Sequence, residues 1–456
     1  MCRHSRNKII ACILIALVGF IFQLSLQQKM RPYAREGLYY QQWSSEFLMQ
    51  TVSIEDLRRA PLQTLSHLHI QPPALDVIRA ALANIWNTPD PYILLRNVDR
   101  SLYVLWAVLY GLLGAFIFLW LSQLTRPGYA VVTALFFLAH PAAIFYATLL
   151  DGTLLSTVLI LCAYYFLWRL RENPQKSIVA FTVAVLALFF TRSIFQWPTI
   201  LLFAFSLLLL RVPRRKVVIF LAVCGVIVGL YVGKQYSQFG ITSTSSFTGL
   251  NLEQSIGRRV NYMGYYWNYL NVGNKIEERG TALPEVLTSK RKLEGTPNFN
   301  HISYLALNSQ LIHDYKERLA AASFGELSQY YRENARLYFE PSSRYTRHVI
   351  VDRLFWRDFY DRLFSAPVLP LLFLLAVIVW GFRAQRGDCL AGIALALPGL
   401  FVFLVSVLFE KGENMRFKFF LEPVYYIFIA SQIYAVGELI RRKATTLVTS
   451  RLDDGP

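Results

Sequence analysis

Long apolar runs separated by short charged segments set the rhythm of this chain. A helix needs about 20 apolar residues to cross a hydrocarbon core of about 30 Å. Stretches of that kind recur at 8–26, 101–123, 129–149, 152–170, 177–194, 197–210, 217–233, 366–382, 390–408 and 423–439. They predict an all-α polytopic membrane protein with about ten transmembrane helices. The run at 197–210 is short and suits a tilted or partly re-entrant helix. Two long intervals interrupt the pattern, at about 27–100 and 234–365. In the first, GLYYQQWSSEFLMQ repeats Tyr39, Trp43 and Phe47 every fourth position, and ALDVIRAALANIW aligns Leu75, Ile78, Leu82 and Ile85. Both predict amphipathic helices lying in the membrane interface, with Asp76, Arg79 and Asn84 on other faces. In the second, FGITSTSSFTGLNL predicts loop or short strand, and HDYKERLAAASFGELSQYYRENARLYF predicts helix. The chain divides accordingly into a transmembrane module, 1–233, an extramembrane domain, 234–365, and C-terminal helices with a tail, 366–456.

Composition fits this reading: 55% of the 456 residues are hydrophobic and 15% aromatic. The net charge of +17 concentrates in short flanks such as MCRHSRNK, RLRENPQK and RVPRRK. Basic residues at helix ends stay on the cytoplasmic side, so both termini are predicted inside and both long loops outside. The basicity is then a topology signal, and nucleic acid is not an expected partner. Cys2, Cys12, Cys162, Cys224 and Cys389 all fall in apolar runs or at their cytoplasmic ends, which leaves no disulfide framework and no CxxC metal spacing. No small-residue cleavage site follows the first run in LSLQQKMRPY, so an uncleaved anchor is expected. The absence of Asn-x-Ser/Thr sequons from the outside segments points to a bacterial inner membrane.

Against that background Asp151 stands out, a lone acid in FYATLLDGTLLST between two apolar runs. The topology places it on the outer rim together with Glu36, with Arg192 in FFTRSIFQW, and with the cluster EKGENMRFKFFLEP. Ionisable groups at a membrane boundary are costly unless they pair, meet water or do chemistry, and here they gather on one face.

These residues carry a family resemblance. YAREGLYYQQW after the first run, HIQPPALD in the same loop, the turn HPAAIFYATLLDGTLL, and more weakly FTRSIFQW and NMRFKFFLEP, together resemble the GT-C integral-membrane glycosyltransferases. The nearest branch resembles the protein O-mannosyltransferases and the aminoarabinose transferase that modifies lipid A. The resemblance covers about residues 1–233 and, loosely, the last hairpin; residues 234–365 match no motif of the family. It implies a GT-C-like fold and inverting transfer of a monosaccharide from a polyprenyl-phosphate donor to a lipid, glycan or protein acceptor. The superfamily's paired acidic residues are reduced here to Glu36, preceded by Arg35, which leaves metal dependence open.

The transfer needs a carboxylate to take the acceptor's proton and cations to stabilise the departing phosphate. The resemblance gives Glu36 the base role, against the plainer one of pairing with Arg35 or stabilising a helix start. It gives Asp151 the orientation of the acceptor or of a helper cation, against service as the N-cap of the following helix. Arg416 is the leading phosphate ligand, with Lys418 and Arg192 as alternatives, and all three also suit snorkelling anchors. His69 and Gln71 of the H-x-Q-P-P element are substrate-binding candidates. His67 and His69 also have the spacing of a zinc or manganese pair, although such pairs are more often polar loop features. His140 suits a satisfied interior histidine. No motif specifies a cofactor, and a divalent cation stays open. A lipid-linked sugar flippase, a noncatalytic assembly subunit and a diphosphate-donor enzyme of the O-antigen-ligase type compete with the transferase reading.

Overall fold

A computed structural model of the chain describes residues 2–30, 44–170, 174–257, 283–345, 348, 351–364, 373, 375 and 389–453. Its membrane part comprises α1 (Cys2–Met30), then, after three short helices of the first loop, α2 (Ile54–Arg59), α3 (Pro61–Ser66) and α4 (Ala74–Trp86), a 34-residue helix α5 (Pro91–Leu124). There follow α6 (Pro127–Leu138), α7 (Pro141–Thr148), α8 (Gly152–Arg169), α9 (Pro174–Thr191), α10 (Trp197–Leu209) and α11 (Arg214–Phe239). The second loop supplies α12 (Thr248–Ser255), α13 (Glu285–Thr288), α14 (Ser303–Ala321), α15 (Phe324–Phe339) and α16 (Arg357–Phe364), and the chain closes with α17 (Cys389–Phe409) and α18 (Asn414–Asp453). No strand forms among the described residues; Arg291 and Pro297 make an isolated bridge.

Among the described residues six helices are long and apolar enough to cross a membrane: Arg6–Met30, Pro91–Leu124, Gly152–Arg169, Arg214–Phe239, Gly392–Phe409 and Asn414–Lys443. The protein is a polytopic helical membrane protein. The predicted run 129–149 divides at His140, and α6 and α7 meet at a 58° bend. Pro141 lacks the N–H an unbroken helix would use, and the His140 side chain instead accepts from the Ala142 amide at 3.0 Å, starting a new helix. Counting this pair as one span gives seven. The runs at 177–194 and 197–210 form shorter apolar helices, and 366–382 lies outside the described residues except for Phe373 and Leu375.

The tightest helix contact joins α1 to α5 through glycines. A Cβ on Gly111 would stand 2.2 Å from the Ala16 carbonyl oxygen, and one on Gly19 would stand 2.9 Å from Gly111 Cα. The absence of side chains there lets two membrane helices approach to backbone contact, where dispersion and close packing replace a hydrophobic drive.

Outside the membrane the two loops pack into one body. Of the two amphipathic stretches, ALDVIRAALANIW is helical, as α4; residues 44–50 of the other form turns, and its remainder lies outside the described residues. The polarity of α4 departs from expectation. Asp76 and Arg79 are fully buried, whereas Val77, Ile85 (74% exposed) and Trp86 face outward. The charges turn inward because Arg79 finds four acceptors there: Glu46 Oε2 at 2.7 Å, Asp76 Oδ1 at 2.6 Å, the Val52 carbonyl at 2.7 Å and Ser45 Oγ at 2.9 Å. Lys292 of the second loop closes this cluster by donating to the Leu48 carbonyl at 2.7 Å. A satellite core of Ile70, Phe247, Leu250, Phe299, Tyr304, Leu307 and Leu311 joins the loops a second time. The predicted helix of the second loop is present, broken at Ser323, whose capping box with Glu326 starts α15.

Candidate functional site

The site is organised around the turn into α8. Asp151 has extended backbone angles and caps the helix, its carboxylate accepting from the Thr153 amide at 2.9 Å. Its other oxygen, Oδ2, accepts from Thr153 Oγ1 at 2.9 Å, from Arg192 Nη2 at 2.9 Å and from Arg416 Nη2. The capping role is therefore realised, and the same side chain holds both guanidinium groups. Gly152 leaves room for this arrangement, since a Cβ there would lie 3.3 Å from Arg192 Nε. Thr153 Oγ1 binds the same two guanidinium groups, Arg416 Nε at 2.7 Å and Arg192 Nη2 at 3.0 Å.

Each arginine comes from a helix end. Arg192 follows α9 and reaches Gln50 Oε1 at 3.3 Å, while its Nε is buried without a hydrogen-bond partner among the described residues. Arg416 lies in the first turn of α18 and also pairs with Glu413 Oε2 at 2.8 Å. Glu413 in turn accepts from Tyr345 Oη at 2.7 Å. Burial pushes the Asp151 carboxyl above its ordinary value, opposed mainly by the charge of Arg192. Glu413 is likewise raised by burial and held back by Arg192. Glu410 is raised well above the ordinary range, first by burial and then by the like charge of Glu413.

Two adjoining cavities, lobes of about 310 and 350 Å³ that share lining residues, open beside this cluster. Gln50, Arg192, Asn251, Glu410 and Glu413 line both lobes and mark their junction. The smaller lobe is the more polar of the two, containing Asp151, Arg416, Gln71, Gln254 and Tyr345. The larger runs between α10, α17 and α18 past Ile194, Pro198, Phe401, Val405 and Phe409. Trp197, Leu201, Leu400 and Leu404, on the same helices, are exposed.

Of the residues singled out in the sequence, Asp151, Arg192 and Arg416 come together, and Gln71 lines the same lobe while donating to Asp76 Oδ2 at 3.2 Å. Glu36 lies outside the described residues. His69 is placed elsewhere: fully buried, with Nδ1 2.8 Å from Ser246 Oγ and Nε2 2.9 Å from the Asn300 carbonyl, it ties the first loop to the second. Burial pulls it down to about 3, so its ring is neutral. His67 bonds Ser66 and Gln63, so the two histidines do not converge. Among the described residues no three His, Cys, Asp or Glu side chains form a group able to hold a metal ion. Lys418 is buried two residues beyond Arg416, donating to the Glu340 carbonyl at 2.6 Å and the Phe364 carbonyl at 3.0 Å, with Glu422 3.6 Å away.

Glu410 and Glu413 belong to a cluster visible in the sequence, but nothing there separates their roles. Tyr345, Gln50 and Asn251 carry no sequence signal, because only tertiary packing brings them to the cavity. No protein-family model matches the chain, and no curated protein matches it. The fold and site thus define the class by themselves: a polytopic helical membrane protein with a cavity lined by two guanidinium groups where helix ends meet.

Proposed function

We propose that the protein is a membrane glycosyltransferase that moves a monosaccharide from a polyprenyl-phosphate donor to an acceptor at the outer face of a bacterial inner membrane. The observation that carries this reading is the two-lobed cavity with Arg192 at the junction and Arg416 beside it. A polyprenyl phosphate sugar has the same order of parts: an apolar tail, an anion, and a ring rich in hydroxyls. The lobe between α10 and α17 suits the tail. Two guanidinium groups suit the phosphate, which they bind through directed N–H donors. The carboxamides of Gln50, Gln71, Asn251 and Gln254 can both donate to and accept from sugar hydroxyls.

In the reaction the acceptor oxygen attacks the anomeric carbon, and the carbon–oxygen bond to phosphate breaks with its electron pair on the phosphate. The arginines stabilise the charge that develops on the leaving group. Asp151 holds both guanidinium groups in place before the phosphate arrives. Glu36, by the resemblance, is a proton acceptor. The GT-C-like fold, the two termini inside and the site outside belong to the same proposal, supported by the basic flanks a helix length away from the rim, such as Arg169 at the far end of α8.

The test is transfer from radiolabelled polyprenyl-phosphate sugars to membrane extract by protein in lipid. Wild type should transfer one of them, and Arg416→Lys should raise the donor concentration required by tenfold or more, about 1.4 kcal/mol of donor binding. Labelled lipid appearing in the opposite leaflet, without transfer from any donor, would replace this reading with the flippase.

A further inference from the structure

One acid of the cavity is not accounted for by the phosphate reading. Glu413 is engaged by Arg416 and Tyr345, and Asp151 by both arginines. Glu410 is 4% exposed, lines both lobes, and takes one hydrogen bond, from the amide of Lys411 at 3.1 Å. The Lys411 ammonium turns away to Glu333 of α15, at 2.9 Å. Among the described residues Glu410 therefore makes no ion pair, although the Arg192 charge lies on its cavity side.

Its position is fixed. The buried Asn414 side chain donates to the Ser406 carbonyl at 2.7 Å and to the Glu410 carbonyl at 3.1 Å, and accepts from the Gly412 amide at 2.9 Å. Gly412 takes φ +105° to close that turn, a conformation open to glycine. A carboxylate held rigidly at the meeting of the two lobes, short of counter-charge, has the attributes of a proton acceptor.

We infer that Glu410, in place of the Glu36 that the resemblance suggests, receives the proton of the acceptor hydroxyl in the transfer reaction, an inference that rests on the proposed phosphate site. The acceptor's O–H bond breaks as its oxygen bonds the anomeric carbon; the proton goes to the Glu410 carboxylate, and the departing phosphate carries the electron pair of the broken bond. The charged and titratable groups around Glu410 are Glu413 and Arg192 on the cavity side and Lys411 with Glu333 beyond. A phosphate placed at Arg192 adds negative charge beside Glu410, so occupied site and protonated Glu410 favour each other. Binding of the product lipid phosphate is then coupled to uptake of a proton by this side chain.

The experiment is calorimetric titration of the full chain in nanodiscs with a short-chain polyprenyl phosphate at pH 8, where the ligand is already dianionic. Two buffers of different ionisation enthalpy report the protons taken up. Wild type should take up protons, at most one per phosphate bound, whereas Glu410→Gln should bind with none. Glu410→Asp keeps the carboxylate and should keep the uptake, which guards against a variant that fails to fold. Binding without uptake in wild type, or uptake that persists in Glu410→Gln, overturns the assignment to Glu410 and leaves the phosphate site standing. No binding by wild type overturns the phosphate site and this inference with it.

Discussion

Removing Arg79 should be the most damaging single change in the extramembrane body, and its effect should depend on pH in a stated direction. The guanidinium is fully buried and donates to two carboxylates, Glu46 and Asp76, each also fully buried. Glu46 receives further bonds from the amides of Ile54 at 3.2 Å and Leu293 at 3.4 Å, so it cannot swing into water without dismantling the junction of the loops. Breaking a buried pair by removing one partner costs about 3–5 kcal/mol. A second route gives the same size: an orphaned Asp76 escapes by binding a proton, and for a carboxyl of ordinary pKa this costs about 4 kcal/mol at pH 7 and about 1.5 kcal/mol at pH 5. Asp76 is already raised by burial and lowered by Arg79, so losing Arg79 leaves burial unopposed by its main counter-charge. Arg79→Ala should thus destabilise by about 4 kcal/mol at pH 7 and markedly less at pH 5, read by detergent-titrated unfolding in mixed micelles with tryptophan fluorescence. Replacing all three charges together, Arg79→Met with Glu46→Gln and Asp76→Asn, should cost less than Arg79→Ala alone, because no buried charge is then orphaned. A loss below about 1 kcal/mol at pH 7, or one that does not shrink on acidification, would refute the reasoning.

Two further outcomes follow from neighbouring features. Asp56 is pushed up to about 7, first by burial and then by the carboxylates of Glu285, Glu46 and Glu55, with Arg59 opposing. The folded chain therefore holds this proton to about pH 7 while the unfolded chain releases it near pH 4, so stability falls as pH rises between those values, by about 1 kcal/mol per unit. Asp56→Asn should flatten that slope in unfolding curves taken across the range; an unchanged slope would place the titrating group elsewhere. Gly111→Ala inserts a methyl 2.2 Å from the Ala16 carbonyl oxygen and must push α1 from α5, lowering stability by about 1–3 kcal/mol. Gly225→Ala, which meets nothing within 4 Å, is the control and should leave the melting temperature unchanged or higher.

What could be read from the sequence and what could not divides along one physical line, depth against lateral neighbourhood. A membrane forces each apolar run to span a fixed thickness, so residues at the ends of runs are constrained to a common level. That is why Asp151, Arg192 and Arg416 could be placed on one rim, although Asp151 and Arg416 are 265 positions apart. Which of the rim residues touch is a matter of helix packing, on which hydropathy is silent. Lys418 lies only two positions from Arg416 on the same helix, yet it points to the Glu340 and Phe364 carbonyls while Arg416 reaches Asp151. The same limit explains α4. Its apolar periodicity gave the helix, but the inward turn of Arg79 depends on Glu46, 33 positions earlier, and no periodicity along α4 encodes a partner outside it. It explains His69 as well, whose spacing from His67 suggested a metal pair while its ring partners, Ser246 and Asn300, lie in a loop that matched no known motif. A helix boundary, by contrast, is written locally: Pro141 broke a run that hydropathy alone made continuous, and Ser323 with Glu326 marked the start of α15. For a chain of this kind, the residues that do chemistry are therefore best sought first by depth, at the rim. The structure then separates those that face the cavity, such as Glu410, from those that hold it together.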